Sequence, residues 1–209
     1  MRVTKKIKEQ QLKILATVYH DAKPALIFNS PFELLVAVIL SAQCTDKRVN
    51  VVTARLFKKA NTPEKIVVMG VEQLETEIRD CGLFRNKAKN IVAAAMMLLH
   101  DYQGNVPDDF ELLQKLPGVG RKTANVVMSV GFNHPAIAVD THVFRVANRL
   151  GLAKGKTPLE VEKGLMAVIP KDNWSSAHHW LIWHGRKICK AQRPLCAVCP
   201  LGEVCPSKS

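Results

Sequence analysis

The stretch that most restricts this chain is Leu116-Pro117-Gly118-Val119-Gly120-Arg121-Lys122-Thr123-Ala124-Asn125-Val126-Val127. Pro117, Gly118 and Gly120 cannot sit comfortably inside a helix, so they predict a tight turn. Helical periodicity follows, with Ala124, Val127, Met128 and Gly131 on one face. Ahead of the turn, Asp108-Asp109-Phe110-Glu111 has the Asp-x-x-Glu spacing of a capping box, and Phe110, Leu113 and Leu116 continue at helical spacing. The expected unit is helix, short glycine-rich hairpin, helix. Gly118 and Gly120 let the backbone come close to a ligand. The first N–H groups of the second helix, near Gly120 and Arg121, have no acceptor within the helix and form a site for an anion.

Composition suggests which anion. The 209 residues carry a formal charge of +12, spread along the chain without a basic tail. Hydrophobic residues make up 47% and charged residues 23%, the balance of a globular protein with a real core. A folded chain with that excess of cations suits a polyanion, double-stranded DNA or RNA first, although a solvated basic surface would have the same composition. No apolar run reaches transmembrane length. Met1-Arg2-Val3-Thr4-Lys5-Lys6 leads into an amphipathic pattern, not a signal-peptide core. A cytoplasmic protein is therefore expected. Disulfides are rare there, so the six cysteines need another explanation.

Helix signals fill the rest of the chain. Ile7, Gln11, Ile14, Leu15 and Val18 make a helical stripe. Ser30-Pro31-Phe32-Glu33 is a capping box that opens an almost wholly apolar helix through Leu40. Thr45-Asp46, Thr62-Pro63-Glu64 and Thr157-Pro158-Leu159-Glu160 start others. A long helix ends near Gly104, and a last one spans about Trp174 to Lys187. Ala136-Ile137-Ala138-Val139 is short and apolar; without a partner strand it is expected to be extended loop. Asp140-Thr141 then caps a helix carrying Val143, Val146 and Leu150. The predicted fold class is all-α.

Cys189, Cys196, Cys199 and Cys205 lie close together in a C-x6-C-x2-C-x5-C pattern. Four thiols so close, in a chain without secretory signals, point to a metal site. Zinc and an iron–sulfur cluster both accept four thiolates. Cys44 and Cys81 stand apart and are expected to be small buried side chains.

Leu-Pro-Gly-Val-Gly-Arg-Lys-Thr-Ala resembles the helix-hairpin-helix of the DNA repair glycosylases, and the lysine directly after the hairpin is similar to that of the endonuclease III family. The cysteine spacing is that of the family's C-terminal [4Fe-4S] loop, shared with its adenine-glycosylase relative. The resemblance covers nearly the whole chain and rests on two independent motifs. It implies a six-helix bundle over residues 24–133, with the hairpin motif at about 109–130. It also implies a cluster domain built from residues 1–23 and 134–209, with a DNA cleft between the two. Cys189, Cys196, Cys199 and Cys205 become the expected ligands of a [4Fe-4S] cluster. Lys190 and Arg193, in the loop between the first two, become DNA contacts with Gly118, Gly120, Arg121 and His142.

The resemblance places a nucleophile at Lys122 and a carboxylate at Asp140, in Val139-Asp140-Thr141-His142-Val143. Free lysine is almost wholly protonated near pH 7, and a helix N-terminus and partial burial both favour the neutral amine. Neutral lysine can attack C1′ of a deoxyribose and expel a damaged base, and the Schiff base then permits β-elimination. Asp140, 18 residues later, could stabilise charge on the sugar and assist proton transfer, or could simply cap its helix. Ser41-Ala42-Gln43-Cys44 and Cys81-Gly82-Leu83-Phe84 resemble the family's two DNA-plugging loops, which makes Gln43 and Leu83 the wedges that fill the gap left by a flipped base. The family usually has another small residue at the position of Cys44.

The function implied is a monomeric base-excision glycosylase and abasic-site lyase for oxidised pyrimidines in duplex DNA. It would work in a bacterial cytosol or nucleoid, with no membrane association and no small-molecule cofactor. Three alternatives remain at this point. The adenine-mismatch relative lacks the lysine and carries a further C-terminal domain, whereas this sequence ends four residues after Cys205. A pyrimidine-dimer glycosylase of the same fold is less well separated. A non-catalytic helix-hairpin-helix module would bind DNA with steep salt dependence but form no covalent adduct.

Overall fold

A computed structural model describes residues 3–208. Met1, Arg2 and Ser209, at the outer ends of the expected cluster domain, lie outside the described residues. Local chemistry sets where the helices begin. Thr4, Ser30, Thr45, Thr62, Asp109, Asp140 and Thr157 each accept a hydrogen bond from a backbone N–H three residues on, which satisfies one of the orphan donors of a first turn. Among the described residues this gives ten α-helices and no strand: α1 (Lys5–Val18), α2 (Pro31–Ser41), α3 (Asp46–Lys59), α4 (Pro63–Glu77), α5 (Phe84–Tyr102), α6 (Phe110–Lys115), α7 (Arg121–Val126), α8 (Thr141–Leu150), α9 (Pro158–Val168) and α10 (Trp174–Lys187).

The chain divides into two compact units. In Pro24–Asn133 the core is organised around α2, whose residues Phe32 to Leu40 are all buried. A helix apolar on every side needs neighbours all round it; α3, α5 and α7 pack against it. Each fully buried leucine there contributes about 1.5–3 kcal/mol of transfer free energy. Glu33 is drawn into this core by its cap, and its Oε2 accepts from Asn29 N–H at 2.7 Å. Gly70, at φ 73°, interrupts α4. The helix after the hairpin is not uniform: α7 passes into a π-helical turn, Val127–Gly131. At its end, a Cβ on Gly131 would come within 3.1 Å of Leu34 Cδ2.

The second unit combines the described residues before Pro24 with those after Asn133. Val143, Val146, Ala147 and Leu150 of α8 pack with Ala177 and Leu181 of α10 and Leu15 of α1. Gln11 is buried because its Nε2 donates to two carbonyls, Leu150 O at 2.9 Å and Val204 O at 2.8 Å. Val18, expected in the buried stripe of α1, is exposed at the helix's last residue, and Tyr19 just beyond it is buried with its hydroxyl against His184. Ala136 to Val139 is extended chain without strand pairing, and all four residues are buried.

Candidate active site and cysteine cavity

The hairpin forms as its residues dictate, with one correction. Asp109, not Asp108, caps α6, accepting from Leu112 N–H at 2.8 Å. Leu113 and Leu116 bury the hairpin's base. Gly118 adopts φ 80°, and a Cβ there would meet Asn90 Cβ at 2.9 Å. Gly120 has ordinary φ and open space around it. The two glycines therefore serve different ends: Gly118 makes the turn, and Gly120 leaves the start of α7 uncovered. Gly118→Ala is expected to cost about 1–3 kcal/mol, which in a chain of this size lowers Tm by several degrees. Gly120→Ala should melt within about 2 °C of the parent; equal melting of the two variants would remove the distinction.

Arg121 and Lys122 open α7, and both side chains are exposed. Lys122 is not partly buried, because the first turn of α7 lies on the unit's surface and its inward face is taken by Ala124 and Val127. Arg121 lies over the Phe110 ring, its guanidinium carbon 4.9 Å from the centroid, which aims one cation of the hairpin.

Gln43 and Leu83 are exposed, and both have left-handed backbone, φ 53° and φ 59°. That conformation is uncommon for a residue with a Cβ and costs on the order of 1 kcal/mol, so each loop is held there by its surroundings. The loops adjoin: a Cβ on Gly82 would sit 3.3 Å from Gln43 O.

In the other unit, Asp140 is the N-cap of α8, with Oδ1 accepting from Val143 N–H at 2.8 Å. Its neighbour His142 is half-buried and accepts at Nδ1 from Arg145 Nη2 at 3.2 Å. A guanidinium can only donate, so neutral His142 carries its proton on Nε2.

Cys189, Cys196, Cys199 and Cys205 all line one cavity of about 230 Å³. No disulfide joins cysteines among the described residues. Among the described residues no three His, Cys, Asp or Glu side chains are gathered closely enough to hold a metal ion as they stand. Burial raises the Cys199 and Cys205 thiols above the ordinary range, so a metal binding there must expel their protons. Burial also pushes Tyr19 up to about 12; its hydroxyl is hydrogen-bonded with His184 Nδ1 at 3.0 Å, and His184 Nε2 lies 3.8 Å from Cys199 Sγ.

Two arginines of α8, with no part in the sequence reading, brace this loop. Arg145 donates from Nε to Cys189 O at 3.0 Å, and Arg149 donates to Lys190 O at 2.6 Å, Ala191 O at 3.0 Å and Cys189 Sγ at 3.5 Å. Their i, i+4 spacing behind Asp140 was the available signal, but that spacing is equally that of two solvated side chains. Lys190 and Arg193 are exposed on the same loop, Arg193 at φ 49°.

The family and the fold are shared with known proteins. Residues 36–171 match the family described as HhH-GPD superfamily base excision DNA repair protein. The chain is 57% identical to endonuclease III of Rickettsia conorii over 185 residues, 88% of each chain. It is 54% identical to endonuclease III of Bacillus subtilis over 192 residues, 91% of this chain and 88% of that one. Among solved structures it is similar to a trapped endonuclease III–DNA covalent intermediate, with TM-score 0.96 and 52% identity over 99% of this chain and 98% of that one. A thermostable thymine-DNA glycosylase shares the fold at TM-score 0.86 and 22% identity, over 99% of both chains.

Proposed function

The chain belongs to the endonuclease III family of the HhH-GPD base excision repair superfamily, and from that premise we propose that Lys122 is its nucleophile and Asp140 the carboxylate acting with it. It is a base-excision DNA glycosylase and abasic-site lyase that binds double-stranded DNA. The substrates are oxidised pyrimidines, and the enzyme works as a monomer on chromosomal DNA in the cytoplasm. No helix among the described residues is long and apolar enough to cross a membrane.

The observation that carries the assignment is a lysine exposed in the first turn of the helix after a hairpin built to approach a phosphate closely. Its neutral Nζ attacks C1′ of the damaged nucleotide, the C1′–N bond breaks and the base leaves with the bonding pair. The sugar ring opens to an imine on Nζ. Loss of a C2′ proton then expels the 3′ phosphate, and water hydrolyses the imine to return the lysine. Asp140 stabilises positive charge on the sugar and takes up or returns protons. Gln43 and Leu83 fill the space of the extruded base, and exposed side chains on pre-set left-handed backbone suit that task. Gly118, Gly120, Arg121 and His142 Nε2–H contact the DNA backbone.

Cys189, Cys196, Cys199 and Cys205 hold a [4Fe-4S] cluster. Four thiols lining one cavity supply the donor set a [4Fe-4S] cluster needs, and their C-x6-C-x2-C-x5-C spacing is that of the family's cluster loop. When bound, the cluster cross-links the loop that presents Lys190 and Arg193 to phosphates. Cys196→Ser is expected to lower iron content and weaken duplex binding about tenfold, with a salt dependence shallower by one to two phosphate contacts. Normal affinity with the iron absent would refute the loop's role.

Borohydride trapping on a duplex containing one oxidised thymine tests the whole reading. Wild type should give a covalent band that Lys122→Ala lacks. Tight binding without a band from wild type would favour a monofunctional glycosylase or a silent module.

A further inference from the structure

Lys87 is 4% exposed, yet the bonds its ammonium makes are to main-chain oxygens: Leu40 O at 2.8 Å and Ala42 O at 2.6 Å. Burying a lysine is costly unless its charge and donors are matched. The end of α2 offers a match, because the last carbonyls of a helix lack partners and carry negative partial charge. Burial holds the ammonium below the ordinary lysine range, with Cys81 and Cys44 pulling the other way. What sets Lys87 apart from an ordinary helix cap is where its two ends attach. Nζ grips the carbonyl immediately before Gln43. Its backbone N–H makes the regular i→i−4 bond at the start of α5, to the carbonyl of Leu83 at 3.1 Å, so the side chain that holds the Gln43 loop springs from the helix turn that Leu83 caps. One residue thus anchors both loops that carry left-handed, exposed side chains, at the place where Gly82 and Gln43 O adjoin.

We propose that Lys87 is a positioning residue that fixes the Gln43 and Leu83 loops to each other, so that the two wedges enter the duplex as one rigid unit. The proposal rests on the reading of Gln43 and Leu83 as wedges. Without the ammonium, the end of α2 loses two bonds, and the Gln43 loop can relax out of its left-handed backbone independently of Leu83.

The test is a double-mutant cycle read by single-turnover base release from a duplex with one oxidised thymine. Lys87→Met is expected to slow base release on the order of tenfold in the parent protein. In a Gln43→Ala, Leu83→Ala background it should slow release less than twofold, since nothing remains to be positioned. Lys87→Arg, which keeps charge and donors, should recover most of the rate. Equal losses in both backgrounds would mean that Lys87 supports only the fold, and would overturn the proposal, as would an unchanged rate for Lys87→Met in the parent. Full activity of the Gln43→Ala, Leu83→Ala protein would instead defeat the wedge reading, and that outcome involves no Lys87 variant. Should Lys87→Met not fold, Lys87→Gln, which retains a donor, takes its place in the same cycle with the same expected non-additivity.

Discussion

A Lys122→Gln protein is expected to bind duplex DNA within about threefold of wild type while cleaving abasic strands on the order of 10⁴-fold more slowly or less. The two expectations separate because Lys122 lies on the exposed side of α7. The helix is anchored from its other face by Ala124 and Val127, both buried, and the turn before it is made by Gly118. A surface exchange of this kind changes stability by only about 0.5 kcal/mol. Loss of the one positive charge should lower affinity by no more than one phosphate contact would. An amide, however, cannot become a neutral amine, so neither the imine nor the β-elimination that depends on it can form. Stopped-time cleavage of a duplex with a preformed abasic site, with a thermal melt of the same sample, measures both quantities. Strand cleavage at the wild-type rate would end the Schiff-base mechanism for this residue.

Asp140→Asn is expected to slow base removal by about 10²- to 10⁴-fold without loosening the fold. Asp140 caps α8 through Oδ1 and Val143 N–H, and asparagine caps a helix about as well as aspartate does. The substitution therefore keeps the cap and removes the charge. Asp140→Ala removes both, and should add about 1 kcal/mol of destabilisation, a fall of a few degrees in Tm. Measuring rate and Tm for the pair separates the two jobs. If Asp140→Asn retains the wild-type rate while Asp140→Ala melts early, Asp140 is a helix cap and nothing more.

Several features of this site were legible before any coordinates, for reasons local to the chain. A proline and two glycines in four residues leave few alternatives to a turn, and a helix starts directly after them. Four cysteines within seventeen residues are constrained by chain length to one neighbourhood, and they share one cavity. The cap at Asp140 needed only its own residue type and the apolar run after it. Other features were misplaced or invisible. Asp108 and Asp109 are equally good caps by composition, and the burial of Leu113 and Leu116 selected the second. Val18 fits the stripe of α1 by periodicity, but it ends the helix and is exposed, while Tyr19 beyond it is buried against His184.

The sequence by itself determined that this protein is all-helical, that it carries a glycine-rich hairpin with a lysine at its exit, and that four thiols lie in one neighbourhood near its C-terminus. Each of these depends on residues a few positions apart, where backbone sterics and periodicity act directly. Only the tertiary structure decided which polar groups are shared across distant segments. It placed the Lys87 ammonium on carbonyls 45 and 47 residues away, and the guanidinium of Arg149 on carbonyls 41 and 42 residues away. The left-handed backbone at Gln43 and Leu83, which neither side chain prefers, belongs to the same class. Such features arise because a folded interior must satisfy every buried donor and acceptor with whatever group packing brings near, and no local pattern records which group that will be.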